Sequence, residues 1–210
     1  MNIVIFGATG TVGFSLVQEA LKRNHHVTAV VRDPERMKGT HENLELKQGD
    51  ILSSDFVAEV VKGKEAVITA YGPVFGKEEE LVEVARSLVE GLRRAEVSRL
   101  LIVGGAGSLE VEPGVRLLDT AEFPAELRPL AVAHAEAYEV FRQSDLEWTY
   151  CSPAAEMEPG RRTGQFRIGM DKLITDEAGN SRITVEDYAV ALIDEMDDPY
   201  FVGTRFTVAY

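Results

Sequence analysis

The chain has 210 residues, with 22 Lys and Arg against 35 Asp and Glu, a formal net charge of −13. Nucleic-acid phosphates and anionic membrane surfaces repel such a chain unless basic side chains gather in one patch, and the sequence holds no such patch. With 45% hydrophobic and 27% charged residues, the composition is that of an ordinary globular protein, so the expectation is a small-molecule partner, no nucleic acid and no membrane.

The first apolar run, Ile3 to Phe6, leads directly into Gly7-Ala8-Thr9-Gly10-Thr11-Val12-Gly13. Leu16, Val17, Ala20 and Leu21 then share one helical face. A glycine loop between a strand and a helix is the setting of a dinucleotide turn. Gly7 allows the tight turn, Gly10 the close approach of a diphosphate, and Gly13 the packing of helix on strand, while unpaired N–H groups at the helix start face the anion. Thr9, Thr11 and Val12 therefore count with the glycines as cofactor contacts. The spacing is Gly-x-x-Gly-x-x-Gly, so its meaning comes from its place in the chain.

His25 and His26 precede the second run, Val27 to Val31; with no third ligand at metal spacing they read as solvated turn residues. The run ends in Arg32-Asp33, with Arg36 four positions on from Arg32. Guanidinium groups there can pair with a 2′-phosphate and favour NADP(H), whereas the Asp33 carboxylate, able to reach a ribose hydroxyl, leaves NAD(H) open. The plain alternative is an exposed arginine before a turn at Pro34.

Further apolar runs are Leu44 to Leu46, Ala66 to Ala70, Leu100 to Val103 and Trp148 to Cys151. Consecutive apolar residues suit strands buried on both faces, as in a parallel sheet covered by helices. Between the runs, Leu81, Val84, Ala85, Leu88 and Leu92 line a helix whose start carries Glu78-Glu79-Glu80, favourable charge for an N-terminus. Asp50 is either a cofactor contact or a cap for a helix over Ser53 to Lys62. The predicted fold class is α/β, a doubly wound, Rossmann-type, mostly parallel sheet.

Beyond Cys151, Pro153, Pro159, Gly160, Gly164 and Gly169 interrupt the rhythm. Residues 152–184 read as a small irregular substrate-side lobe on one domain spanning 1–210, with Asp176 to Asn180 turning between two short strands. Met157 and Phe166 are either core or apolar contacts for a flat ring. A helix over Val185 to Met196 and a strand over Arg205 to Val208 follow. The single cysteine, Cys151, excludes an intrachain disulfide and reads as packing in a buried strand. No apolar stretch reaches the roughly 20 residues of a bilayer span, and no basic leader precedes the first strand, so a cytoplasmic protein is expected.

The loop Gly7 to Gly13, Val30-Val31-Arg32-Asp33, Gly49-Asp50-Ile51, Val103-Gly104-Gly105-Ala106, Trp148-Thr149-Tyr150 and Asp187-Tyr188-Ala189 together resemble the atypical short-chain dehydrogenase/reductase group of NAD(P)H-binding proteins. Within that group the chain is similar to the NADH-flavin reductase type and, more distantly, to biliverdin reductase B. The resemblance implies that Asp50 and Ile51 flank the adenine and that Tyr71, Gly72 and Pro73 line the ribose and diphosphate. It also implies that Val103, Gly104 and Gly105 sit beneath the nicotinamide and that Ser152, Pro153 and Ala154 close its pocket.

Ordinary short-chain dehydrogenases use Tyr-x-x-x-Lys. Here Tyr138 is followed at that spacing by Arg142, which cannot surrender a proton at neutral pH. His134, Tyr138 and Arg142 fall on one helical face, so His134 and Tyr138, with Ser108 after the fifth run, are the candidate catalytic residues; a polar stripe against the sheet edge is the alternative. A missing lysine argues against carbonyl reduction, whose alkoxide needs an acid. It is neutral toward hydride transfer to a flavin, whose delocalised anion solvent can protonate. The expected function is therefore an NAD(P)H-dependent oxidoreductase passing hydride to a dissociable flavin, a quinone or a similar planar acceptor, as a monomer or homodimer. A non-catalytic NADP(H)-sensing protein, whose pocket over Ser152 to Gly169 would be collapsed, and a sugar-nucleotide epimerase or dehydratase relative are the rivals.

Overall fold

Every apolar run of the sequence becomes a strand of one sheet in the computed structural model, which describes residues 1–37 and 39–210. The strands are β1 (Asn2–Phe6), β2 (His26–Val31), β3 (Leu44–Gln48), β4 (Ala66–Thr69), β5 (Arg99–Val103), β8 (Glu147–Ser152) and β12 (Thr204–Ala209), with β10 (Arg167–Gly169) added at one edge. Their order, β10-β12-β8-β5-β4-β1-β2-β3, is the doubly wound arrangement, and every pairing is parallel except β10 with β12.

Helices cover both faces. α1 (Thr11–Lys22) and α5 (Val185–Asp197) pack together on one side, over Ile3, Ile5, Ala29, Cys151, Phe206 and Val208. α2 (Ser54–Val61), α3 (Glu80–Arg94) and α4 (Arg128–Arg142) form the other layer, over Val4, Phe6, Val67, Leu100, Trp148 and Tyr150. Adjacent residues of one strand thus enter opposite cores, which is why the runs are apolar at consecutive positions. The edge strand β3 departs from this expectation. It is largely exposed, Leu46 included, because no strand lies beyond it.

Two buried ion networks tie distant segments together. Arg99 donates to Glu195 at 2.8 Å and to the Thr149 hydroxyl at 2.7 Å, joining β5 and β8 to α5. Glu19 on α1 accepts a two-pronged contact from Arg162, 2.8 Å on each oxygen, and a further bond from Arg23 at 2.8 Å.

The irregular lobe holds more structure than its composition suggested. β9 (Glu156–Glu158) pairs in parallel with β11 (Arg182–Thr184); outside the lobe, between β5 and α4, a hairpin joins β6 (Glu110–Glu112) to β7 (Val115–Arg116). Asp176 does turn the chain, accepting from the N–H groups of Ala178 and Asn180 at 2.9 and 2.8 Å. The strands on either side of that turn are not partners, however, since β10 joins the main sheet and β11 joins β9. The lobe is pinned by Asp187, fully buried at the start of α5, which accepts from the Thr163 and Gly164 N–H groups at 2.7 and 2.8 Å and from the Tyr210 hydroxyl at 2.7 Å. The histidine pair divides: His26 is exposed, but His25 is buried, its Nε2 lying 3.0 Å from Asp197 Oδ1 on α5.

Candidate functional site: a dinucleotide cleft

A cleft of about 670 Å³ opens at the carboxyl ends of β1, β2, β4 and β5. It includes the crevice between β1 and β4, where the strand order reverses and open α/β sheets bind ligands. One wall is the glycine loop. Gly7 has φ +76°, and a Cβ there would stand 2.4 Å from the Ala70 carbonyl oxygen; a Cβ on Gly13 would stand 2.1 Å from the Gly7 carbonyl oxygen. Gly7 and Gly13 are thus required by the protein's own packing. Gly10 is different. Its nearest neighbour, the Gly7 carbonyl oxygen, would be 3.4 Å from an added Cβ, so its bare side faces the cleft. Gly10 also caps α1 with no side-chain acceptor, which leaves the N–H groups of the first turn for an anion. A dinucleotide diphosphate fits this cradle.

Thr9, Thr11 and Val12 line the same wall, and Arg32 and Arg36 line the far end beyond β2. Asp33 does not; its carboxylate accepts from the Glu35 N–H at 3.1 Å and caps the short 3-10 turn Pro34–Arg36. Asp50 and Ile51 line the cleft. The cap of α2 is Ser53, whose hydroxyl accepts from the Phe56 N–H at 3.3 Å, so Asp50 is not needed for that task. Tyr71 and Gly72 line the opposite side with Lys77 and Glu80, whereas Pro73 lies outside the lining. The Tyr71 hydroxyl donates to Glu80, and Lys77 Nζ approaches Glu80 Oε1 at 3.2 Å. Burial, reinforced by that carboxylate, raises the Tyr71 phenol above its ordinary range. Lys77 and Glu80 were not anticipated in this role, because only the folded 71–80 segment brings them to the cleft.

At the β5 end the lining is Val103, Gly104, His134 and Met157. Gly104 is bare because a Cβ would fall 2.1 Å from the Tyr150 ring. The Gly105 N–H donates to the Tyr150 hydroxyl at 3.2 Å, and that hydroxyl lies 3.3 Å from the His134 carbonyl. Burial pushes the His134 imidazole down to about 4, so it is neutral at ordinary pH. Ser152, Pro153 and Ala154 are buried at the end of β8 and outside the open lining.

The candidate catalytic residues are not gathered at one point. His134 faces the cleft; Tyr138, one turn further along α4, packs against Trp148 and Tyr150 with ring centres 5.8 and 4.7 Å apart. Arg142 leaves that face and pairs with Glu139 at 2.7 Å on the surface. Ser108 is held by Arg205, its hydroxyl accepting from Nη1 at 2.8 Å. Cys151 is buried, and burial raises its thiol well above the ordinary value, consistent with packing. Among the described residues no cluster of His, Cys, Asp and Glu has metal-binding geometry, and no helix is long and apolar enough to cross a membrane.

The chain is 40% identical to the uncharacterized protein YwnB of Bacillus subtilis over 99% of its own length and 98% of that protein's. Among solved structures it resembles a Bacteroides thetaiotaomicron protein provisionally named an epimerase, at 46% identity and TM-score 0.94, covering 100% of this chain and 96% of that one. It also resembles a Streptococcus pneumoniae protein provisionally named an NADH-flavin reductase, at 31% identity and TM-score 0.89, covering 100% and 99%. The family model for NAD(P)H-binding proteins matches residues 7–198, from the first glycine of the loop to the end of α5. With that match and the cradle at Gly7, Gly10 and Gly13, the chain belongs to the NAD(P)H-binding family.

Proposed function

We propose that this protein is an NADP(H)-dependent reductase that delivers hydride directly to a planar acceptor of the flavin or quinone class. The observation that carries the reading is the chemistry of the β5 end of the cleft. Its one titratable lining residue is His134, which burial keeps neutral, while Tyr138 is packed among aromatic rings and Arg142 is paired on the surface. Such a site suits a reaction in which no protein acid must act in step with hydride transfer.

NADPH, bound along the cleft, would supply hydride from its nicotinamide C4 to the acceptor and leave as NADP⁺, with water protonating the reduced acceptor. The chain's own residues bind, orient and shield. The N–H groups at the start of α1 hold the diphosphate, Arg32 and Arg36 take the 2′-phosphate, and Val103, Gly104 and Met157 offer a flat apolar seat to the ring pair. The preference for NADP(H) rests on the two arginines in the lining and on Asp33 being occupied by the Glu35 N–H. The single buried cysteine suits a cytoplasmic setting, and we take the protein to act there as a monomer or homodimer.

The test is a steady-state screen of NADPH oxidation against FMN, riboflavin, quinones and small carbonyls, with cofactor affinity measured in parallel. Turnover with flavins or quinones and not with carbonyls is expected. Tight NADPH binding with background turnover on every acceptor refutes the reductase reading and leaves a nucleotide sensor.

A further inference from the structure

His134, on α4, is the one titratable side chain at the β5 end of the cleft, beside Val103, Gly104 and Met157. Two contacts fix where it stands. The Tyr150 hydroxyl accepts from the Gly105 N–H at 3.2 Å and lies 3.3 Å from the His134 carbonyl oxygen, so α4 is tied at this residue to the loop after β5. Gly105 is also bare against the ring. An added Cβ would stand 3.0 Å from His134 Cγ and 3.2 Å from Cδ2, closer than ordinary van der Waals contact, so a side chain at 105 would press on the imidazole. The ring meets Gly105 through these carbons, and neither nitrogen is among the atoms nearest to it.

His134 also borders a second, smaller chamber of about 20 Å³, lined by Thr69, Tyr71, Ile102, Phe141 and Tyr150. A chamber of that size has room for one water. A ring-sized ligand therefore reaches the imidazole only from the cleft, whose volume is about 670 Å³. Among the described residues none gives the ring a hydrogen bond or a neighbouring charge, and burial is the one cause of its low proton affinity. A half-buried imidazole without partners is unfavourable by itself, and its nitrogens are left for whatever occupies the cleft.

We infer that His134 donates a hydrogen bond to the acceptor, at the oxygen or nitrogen where negative charge gathers as hydride arrives, and that Gly105 is bare to make room for it. This rests on the reductase reading and deepens it by naming the residue that meets the acceptor. The ring is uncharged at ordinary pH, so one nitrogen carries a proton and the other does not. His134 keeps that proton throughout. Hydride passes from nicotinamide to acceptor, and the proton that completes the reduced acceptor comes from water. The hydrogen bond strengthens as the acceptor becomes anionic, so it lowers the barrier more than it tightens binding. The acceptors that gain are flavins, through the pyrimidine edge, and quinones, through the carbonyl oxygen.

The experiment measures reduction of riboflavin and of menadione by NADPH, together with NADP⁺ affinity. His134→Phe is expected to lower kcat by about ten- to a hundredfold with NADP⁺ affinity unchanged, and His134→Gln, which keeps an N–H donor, by less. Gly105→Ala should lower kcat in the wild-type background and have no further effect beside His134→Ala, where the added Cβ meets no ring. Independently of turnover, the imidazole ¹⁵N resonances of His134 in NADP⁺-loaded protein should shift when riboflavin is added, while those of the exposed His26 and His41 stay in place. Unchanged kcat in His134→Phe or, should that variant not fold, unmoved His134 resonances with riboflavin bound overturn the inference and leave the reductase. A matching loss of NADP⁺ affinity also overturns it, because the ring then serves the nicotinamide. Resonances that shift without NADPH oxidation refute the reductase and leave the contact. Wild-type protein that binds and reduces neither riboflavin nor menadione refutes both.

Discussion

Glu19→Gln removes the charge that joins α1, the helix opened by the glycine loop, to Arg162 in the 152–184 lobe. Glu19 is 5% exposed and its two oxygens accept three arginine hydrogen bonds of 2.8 Å. Arg162 foremost, helped by Arg23 against the opposing effect of burial, pulls its carboxyl from 4.5 down to about 2. A carboxyl depressed on folding stabilises the native state fully above its unfolded value of 4.5, and that contribution drains as pH falls toward about 2. The displacement corresponds to on the order of 3 kcal/mol at pH 7, and to roughly 1 kcal/mol at pH 3, where the unfolded carboxyl is already protonated. Urea unfolding of wild type and Glu19→Gln at pH 7, 5 and 3 measures it, because subtracting the two curves cancels every other carboxylate. The expected difference is constant from pH 7 to near 5 and shrinks by more than half at pH 3. A difference independent of pH, or a variant as stable as wild type at pH 7, refutes the assigned electrostatic role.

Arg32→Ala is expected to weaken NADPH binding by about tenfold while leaving NADH nearly unchanged, and the loss should shrink in high salt because Arg32 is exposed; equal losses for both cofactors in a fluorescence titration remove the 2′-phosphate assignment. Gly13→Ala sets a Cβ 2.1 Å from the Gly7 carbonyl oxygen, so both cofactor binding and about 2–3 kcal/mol of stability should be lost; a stable variant that binds NADPH normally contradicts the close packing. Glu195→Ala leaves the buried Arg99 guanidinium without its 2.8 Å carboxylate partner and should cost about 3–5 kcal/mol in chemical denaturation. His134, lowered from 6.5 to about 4 by burial, should stay neutral from pH 8 to 5 in an NMR titration. Its contribution to stability is complete above 6.5 and is lost as pH falls through about 4; a midpoint near 6.5 places the imidazole in water.

Much of the fold was legible locally. Ile3 to Phe6, Val27 to Val31, Leu100 to Val103 and Trp148 to Cys151 are apolar on consecutive residues because both faces of a central strand are covered, and each forms such a strand. Leu44 to Leu46 carries the same local signal but stands at the sheet edge, and position in a sheet is set by partners far along the chain. His25 misled for a related reason. A turn between helix and strand is normally solvated, but α5, more than 150 residues later in the chain, covers this one.

The glycine loop that lines the cleft was readable for a physical reason. A phosphate is held by backbone N–H groups and bare glycines within one strand-loop-helix unit, so Gly7, Gly10 and Gly13 appear in the sequence at the spacing they need in space. The surroundings of the candidate catalytic residues were not. Ser108 follows β5, Tyr138 is on α4 and Arg205 is on β12, and Arg205 meets Ser108 across 97 positions of sequence. The spacing of His134, Tyr138 and Arg142 suggested a shared face, yet side-chain pairing divided them among the cleft, the aromatic core and the surface. The sequence by itself determined the alternation of strands and helices, the phosphate cradle and the absence of a Tyr-Lys couple, since each is a short-range pattern. Only the tertiary structure decided that Asp33 caps a turn while Arg32 and Arg36 line the cleft, and that a buried arginine from the last strand holds Ser108, because both depend on which segments become neighbours.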